Sequence, residues 1–379
     1  MKASQSVGVI TMHRVYNYGS ALQAYATQTT IEKLGNKCEI IDYWYPNEYQ
    51  FSRGVNRPIK TLKSIIGSAL GLSSKHRKMN RLRRFIENNL NLTKSYHNRE
   101  ELIFSVPQYD VYLTGSDQVW NPKFTKGDPT FLCDFTAKGT KKVSYASSFS
   151  TNQLPEEIES KWSELLNQYS HISVRENGGV KLVESLTNGQ KSAQVVLDPT
   201  LLLNKDDWAK LVDKSHVKDK YKDRDYILVY KLDYAFNPSP TLENVVNELQ
   251  KSYGCEVISI DKNIPLENSQ CTCLTEAGVV EFLLLFMHAR CVVTSSFHGT
   301  AFAVNFGKRV FSIVGNASCS DDRQSSFLSN LGIPQAAIPS GTEMCNIDFK
   351  DYDKKKVEQQ LALLRSESID YMESALEVK

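Results

Sequence analysis

Short apolar runs rich in β-branched residues recur along the chain, and between them come stretches whose apolar residues return at helical spacing. VGVITM at 7–12 reads as a buried strand. Ser20-Ala21-Leu22-Gln23 reads as a capping box opening a helix to about Leu34, and Gly35 ends that helix before a second strand, CEIIDYW. This is a βαβ unit. Further strands are predicted at YDVYL, KVSYAS, HISV and AQVVL, with helices from Glu156 to Tyr169 and from Gly178 to Leu186. Strand and helix alternate, which points to a parallel, doubly wound sheet.

After VVLDPTLLL the pattern gives way to a charged stretch, Asn204 to Asp225, and then resumes. YILVY, a helix from Ser239 to Tyr253, EVISI, a helix from about Thr275 to His288, CVVTSS, a short helix from Thr300 to Phe306 and RVFSIV make a second α/β set. The expected organisation is an N-terminal α/β domain over 1–203, a C-terminal α/β domain over 204–350, and a helix over 351–379. In that last segment Val357, Leu361, Leu364, Met372 and Leu376 form one stripe that packs back on the body. A length of 379 residues fits two domains with separate cores. No period of 20 to 50 residues is visible, which argues against a solenoid.

Composition narrows the function classes. Lys+Arg 45 against Asp+Glu 43 gives +2, too balanced for a polycation that works on nucleic acid. The eight cysteines are scattered, several inside strand-like runs, and read as reduced thiols; Cys271-Thr272-Cys273 lacks a second Cys/His pair at zinc spacing, so no metal is expected. The start of the chain lacks a basic, then apolar, leader, and the longest strongly apolar piece, Phe282 to Ala289, falls well short of the roughly 20 residues that cross a bilayer. The expected location is the cytoplasm. One segment breaks the balance: ten Lys/Arg lie between Arg53 and Arg84, interspersed with Ile59, Leu62, Ile65, Ile66, Leu70 and Leu72. It reads either as a basic amphipathic helix for an anionic membrane surface or as a solvated helical insertion on the first domain.

In an open parallel sheet, ligands gather at the carboxyl ends of the strands. Those ends are polar here: His13-Arg14-Val15-Tyr16-Asn17-Tyr18-Gly19-Ser20 after the first strand, Thr114-Gly115-Ser116-Asp117 after YDVYL, Arg175-Glu176-Asn177 after HISV, and Ser295-Ser296-Phe297-His298-Gly299-Thr300 after CVVT. A dinucleotide fingerprint, a Walker loop, the zinc-peptidase His-Glu-x-x-His and the hydrolase Gly-x-Ser-x-Gly are all missing. What remains suits an anionic ligand held between two domains, with His298 opening a helix whose first N–H groups favour phosphate or carboxylate.

Through NYGSALQAYA, YDVYLTGSDQVWNP, VSYASSFS, ISVRE, VLDPTLLL, VVTSSFHGTAFAVNFGKRVFSI and DDRQSSFLSNLGI the chain resembles the polysaccharide pyruvyl transferase family. The resemblance implies two Rossmann-like domains facing a cleft, as in GT-B glycosyltransferases. It also implies transfer of an enolpyruvyl unit from phosphoenolpyruvate, as a donor substrate without any further cofactor, to a hexose of a capsular or other surface polysaccharide precursor. The acceptor would be lipid-linked, with peripheral membrane contact through 53–84. His298 matches the family's histidine and becomes the acid/base candidate, and Arg175 matches its arginine after an earlier strand. Some members carry Arg-Leu-His where this chain has Ser296-Phe297-His298, and Arg323 is the candidate replacement for that missing cation. Arg175, Arg323, Gly299 and Thr300 are thus the donor-binding candidates. Asn17, Gly19 and Asp117 are the acceptor or cleft candidates, although Asn17 and Gly19 also fit a turn before a helix and Asp117 a cap on the turn after it. Two alternatives stand beside this reading: a sugar-nucleotide glycosyltransferase on the same architecture, and a non-catalytic glycan-binding protein that tolerates loss of His298.

Overall fold

The computed structural model describes residues 4–44, 73–267, 270–317 and 319–378. The described chain forms two α/β units. The first takes 4–44, 82–202 and 364–378; the second takes 73–81, 203–267, 270–317 and 319–363.

In the first unit β1 (Ser6–Ile10), β2 (Lys37–Ile40), β3 (Val111–Thr114) and β4 (Lys141–Ser144) form a parallel sheet in the order β2-β1-β3-β4. A parallel ribbon of β5 (Ser173–Val174) and β6 (Gln194–Val195) comes next, and single bridges Val143↔His171 and Ser147↔Val174 continue the β4 edge onto it. β3 is buried throughout, as expected for a strand covered on both faces. The core gathers Ile10, Trp120, Phe131, Phe149, Trp162 and Tyr169. The end of the C-terminal helix Lys354–Leu376 belongs here: Tyr371 donates from its hydroxyl to the Ser144 carbonyl at 3.0 Å, and Ser368 accepts the Leu197 amide at 3.0 Å.

In the second unit β7 (Tyr226–Tyr230), β8 (Glu256–Ile260), β9 (Cys271–Leu274), β10 (Cys291–Thr294), β11 (Arg309–Val314) and β12 (Ala337–Pro339) form one parallel sheet in the order β12-β11-β10-β7-β8-β9. Counted within the unit this is the doubly wound order 3-2-1-4-5-6, and the direction of winding reverses between β7 and β10. β7, β10 and β11 are wholly buried. Ile227, Val229, Val257, Val293, Phe311 and Ile313 make the core.

Four expectations change. The first helix runs Tyr18–Lys33, two residues ahead of the Ser20 capping box, because Asn17 caps it by accepting the Gly19 amide at 2.8 Å. The helix expected at Thr300 begins at Phe297 under a Ser296 cap, so His298 lies inside its first turn. Cys271–Leu274, left out of the predicted strands, is the edge strand of the second sheet.

The fourth change concerns the basic segment. Its residues up to 72 lie outside the described residues, and the rest is the helix Ser74–Asn89. Arg77 donates to Glu276 Oε2 at 2.7 Å, Lys78 pairs with Asp261, and Arg81 pairs with Glu281 at 2.7 Å. These three charges, expected on a lipid-facing insertion of the first domain, are committed to acids of the second unit. Lys78 is buried. Burial pushes its ammonium toward neutrality and Asp261 likewise, and their mutual attraction resists both shifts.

Candidate functional site

The carboxyl edge of the first sheet carries two networks of buried ion pairs. Asp42, just past β2, is 1% exposed and meets His13 Nε2 at 3.0 Å, Arg14 Nη2 at 2.6 Å, Trp44 Nε1 at 3.2 Å and Ser95 Oγ at 2.5 Å. Burial pushes its carboxyl up, but the bonds from His13 and Arg14 outweigh that and hold it below the usual carboxylate range. The Arg14 guanidinium also lies 4.6 Å from the Trp44 ring centre.

A second network starts at Asp198. One of its oxygens accepts Arg175 Nη1 and Ser116 Oγ, both at 2.8 Å, and the other accepts the Thr200 amide at 3.0 Å and the Thr200 hydroxyl at 2.7 Å. Arg175 Nη2 is 3.7 Å from Asp117 Oδ1. Asp117 sits in left-handed backbone (φ 74°), which Asp tolerates better than most residues. It accepts the Gln118 amide at 2.9 Å and the Ser20 hydroxyl.

Of the residues singled out from sequence, Asn17, Gly19, Asp117 and Arg175 therefore lie in the first unit, as parts of caps and buried pairs. Arg175 lies against two carboxylates, Asp198 at 2.8 Å and Asp117 at 3.7 Å, as Arg323 in the other unit lies against Asp321. Asp198 and Asp42 were not anticipated, and the sequence marks Ser20 and Ser116 only as parts of polar strand ends, Ser20 also as a cap. Asp198 stands within the family-like block VLDPTLLL, the only signal that could have pointed to it.

His298, Gly299, Thr300 and Arg323 share the second unit, and Phe297 joins two of them. The Arg323 guanidinium lies 5.8 Å from the Phe297 ring centre, and that ring meets the His298 ring edge-on at 5.5 Å. Arg323 opens the helix Arg323–Asn330 and is held by Asp321 through Nε at 2.7 Å and Nη2 at 2.5 Å. Thr300 Oγ1 and Ser312 Oγ are 2.8 Å apart, and Gln324 donates to Ser312 Oγ at 2.7 Å, tying the two helices to β11. Gly299 gives its amide to the Ser296 cap at 3.3 Å. A Cβ on Gly299 would come within 2.3 Å of Thr294 Oγ1, so only glycine lets this helix sit against β10.

Beside His298 runs the end of β7. Thr294 Oγ1 donates to the Tyr230 carbonyl at 2.7 Å, while Ser295 Oγ accepts the Leu232 amide at 2.8 Å and donates to the Leu232 carbonyl at 2.6 Å. The loops after β7 and β10 are thereby locked together where the winding reverses. Lys231 lies in that lock and pairs with Glu243 of the helix Thr241–Tyr253 at 2.6 Å. Lys231 comes directly after the strand YILVY, so its place at a strand end marks it; no sequence signal points to Glu243.

A family model described as polysaccharide pyruvyl transferase matches residues 17–316. No curated protein matches the chain. Among solved structures, that of a UDP-N-acetylglucosamine 2-epimerase of Listeria monocytogenes, itself described as putative, is 13% identical, covers 98% of this chain and 91% of its own, and has a TM-score of 0.51. A Methanocaldococcus jannaschii UDP-GlcNAc 2-epimerase in complex with UDP-GlcNAc and UDP is 13% identical over 97% of this chain and 100% of its own, with a TM-score of 0.46. The first likeness is one of fold, two Rossmann-like units in one chain.

Proposed function

The chain belongs to the polysaccharide pyruvyl transferase family, and from that premise we propose that it moves the enolpyruvyl unit of phosphoenolpyruvate onto a hexose of a surface polysaccharide precursor and releases phosphate. One observation carries this reading: His298 stands in the first turn of a helix at the winding reversal of the second sheet, in one cluster with Arg323. That is the position where a doubly wound sheet offers ligands polar groups and helix N–H groups together.

Ketal formation needs a proton at the donor's methylene carbon. Histidine titrates near neutral pH and can deliver one. Phosphoenolpyruvate carries a carboxylate and a phosphate, and a planar guanidinium pairs with either through a forked contact. In this reading Arg323, whose Nε and one Nη2 proton are held by Asp321, offers its remaining N–H groups to the donor, the first turn of the His298 helix faces its negative charge, and His298 protonates the methylene. Arg175 serves as the partner of Asp198 and Asp117 rather than as a donor ligand.

The acceptor is read as a lipid-linked glycan met at the cytoplasmic face. No helix among the described residues is long and apolar enough to cross a membrane. The test is to incubate the protein with phosphoenolpyruvate and candidate glycolipid acceptors, monitoring phosphate release and the mass of the acceptor. Phosphate release with the mass of a pyruvate ketal supports the proposal. Thermal stabilisation by sugar nucleotides and none by phosphoenolpyruvate overturns it in favour of a sugar-nucleotide transferase.

A further inference from the structure

The reaction proposed above leaves the acceptor's hydroxyl protons without a protein group to receive them. The Lys231–Glu243 pair has the composition for that task. Lys231 Nζ donates to Ser239 Oγ and to Glu243 Oε1, each at 2.6 Å, and Ser239 Oγ donates to the same Glu243 oxygen at 2.9 Å. Glu243 is 8% exposed, and its other oxygen, Oε2, is buried without a hydrogen-bond partner among the described residues. An ammonium has three protons, of which these contacts use two. The pair therefore has one donor proton and one acceptor oxygen to spare; the side chains keep 15% and 11% of their surface, and Oε2 itself is buried.

The chemistry of the pair selects its ligand. A carboxylate and the dianion of a phosphate ester only accept, so either would meet Lys231 favourably and Glu243 unfavourably. A hydroxyl both accepts and donates, and so satisfies both groups at once. Glu243 also lies in the first turn of its helix, where the helix dipole favours a carboxylate. The pair sits after β7, beside the β10 end that carries His298.

We propose that Lys231 and Glu243 bind a sugar hydroxyl of the acceptor and that Glu243 is the base that takes its proton. The hydroxyl oxygen bonds to C2 of phosphoenolpyruvate, the C2=C3 pair takes up the proton brought by His298 to C3, and the hydroxyl proton passes to Glu243 Oε2. A neighbouring hydroxyl then bonds to C2 as the bond from C2 to the phosphate oxygen breaks, and its proton leaves with phosphate. Exchange with solvent returns His298 and Glu243 to their starting states. The catalytic part rests on the donor reading above; the hydroxyl contact stands apart from it.

The experiment has two arms. In the first, Glu243→Gln keeps the shape and removes the base, so turnover with phosphoenolpyruvate and acceptor should fall about 10²-fold or more, while phosphoenolpyruvate affinity by calorimetry stays as in wild type and the melting temperature drops without loss of the fold, since Lys231 loses its charge partner. Retained turnover, or a loss of turnover matched by an equal loss of donor affinity, makes the pair a structural ion pair and overturns the proposal. In the second arm, saturation-transfer NMR with methyl hexopyranosides and no donor should show contact in wild type that Glu243→Ala abolishes. The double variant Lys231→Met, Glu243→Leu, which exchanges the pair for apolar groups, serves if Glu243→Ala does not fold. Hexoside contact that depends on Glu243 in a protein indifferent to phosphoenolpyruvate removes the donor reading and keeps the hydroxyl site. Hexoside contact indifferent to Glu243, or none in wild type, removes the hydroxyl site.

Discussion

The two sheets end in different ways at their carboxyl edges. At the first, every singled-out carboxylate is answered from within: Asp42 by His13, Arg14, Trp44 and Ser95, Asp198 by Arg175, Ser116 and Thr200, and Asp117 by Ser20 and Gln118. At the second, Glu243 keeps an oxygen without a hydrogen bond among the described residues, and His298 is presented in the opening turn of a helix. Buried charges that are fully paired rigidify a loop and leave little for a ligand. In the reading proposed above, Asp42, Asp198 and Asp117 are framework at the first edge, and the second edge carries the chemistry.

The largest effect that would break this comparison is at Asp42. Asp42→Ala should cost about 3–5 kcal/mol of stability, because it strands the buried Arg14 and His13, and denaturant unfolding measures it. The pH sign comes from the lowered carboxyl of Asp42. Its contribution is present above the unfolded-state value of about 3.9 and is lost as pH falls through the lower folded-state value. Wild type should thus lose this increment only in acid, and Asp42→Asn should flatten that limb of the stability profile. A variant as stable as wild type would remove the framework role.

Next comes His298→Ala, which should lower turnover about 10²-fold or more at saturating donor with the fold intact by circular dichroism. Near wild-type turnover would make His298 a packing residue. The two arginines sharpen the contrast at smaller scale. Arg323→Lys should weaken phosphoenolpyruvate binding by about 1.5–3 kcal/mol, read by titration. Arg175→Lys should lower the melting temperature and leave donor affinity in place. The reverse pattern would return the donor site to Arg175.

The smallest effect is expected at the surface of the basic helix. Arg83 and Arg84 are exposed, Arg83 has only a 3.9 Å contact with Glu87, and the described charges before them are largely paired. Changing both to Gln should leave the melting temperature unaltered, since exposed charges contribute about 1 kcal/mol or less. Binding to anionic liposomes that vanishes in this variant would restore a membrane role to the segment.

The alternation of buried strands and amphipathic helices could be read directly, because a parallel strand covered on both faces needs an unbroken apolar run such as YILVY or CVVT. His298 could be read for a related reason: a strand end followed by small residues and a helix start is a local signal, and the family-like block around it is contiguous in sequence. The edge strand Cys271–Leu274 was harder, being short and only partly buried. Ser20 looked like a cap because Gln23 stands at capping-box spacing, yet its hydroxyl goes to Asp117, 97 positions away.

What the sequence alone determined, then, is the alternation of the buried strands and their helices, the polar strand ends and the family. Which charges face each other was decided by the fold. Lys78 meets Asp261 across 183 positions, and Ser116 meets Asp198 across 82. Even Lys231 and Glu243, 12 positions apart, meet through a turn of chain that returns the next helix to the strand end. A side chain's type is written locally, but whether its charge is cancelled or left for a ligand depends on which other strand ends the sheet order sets beside it.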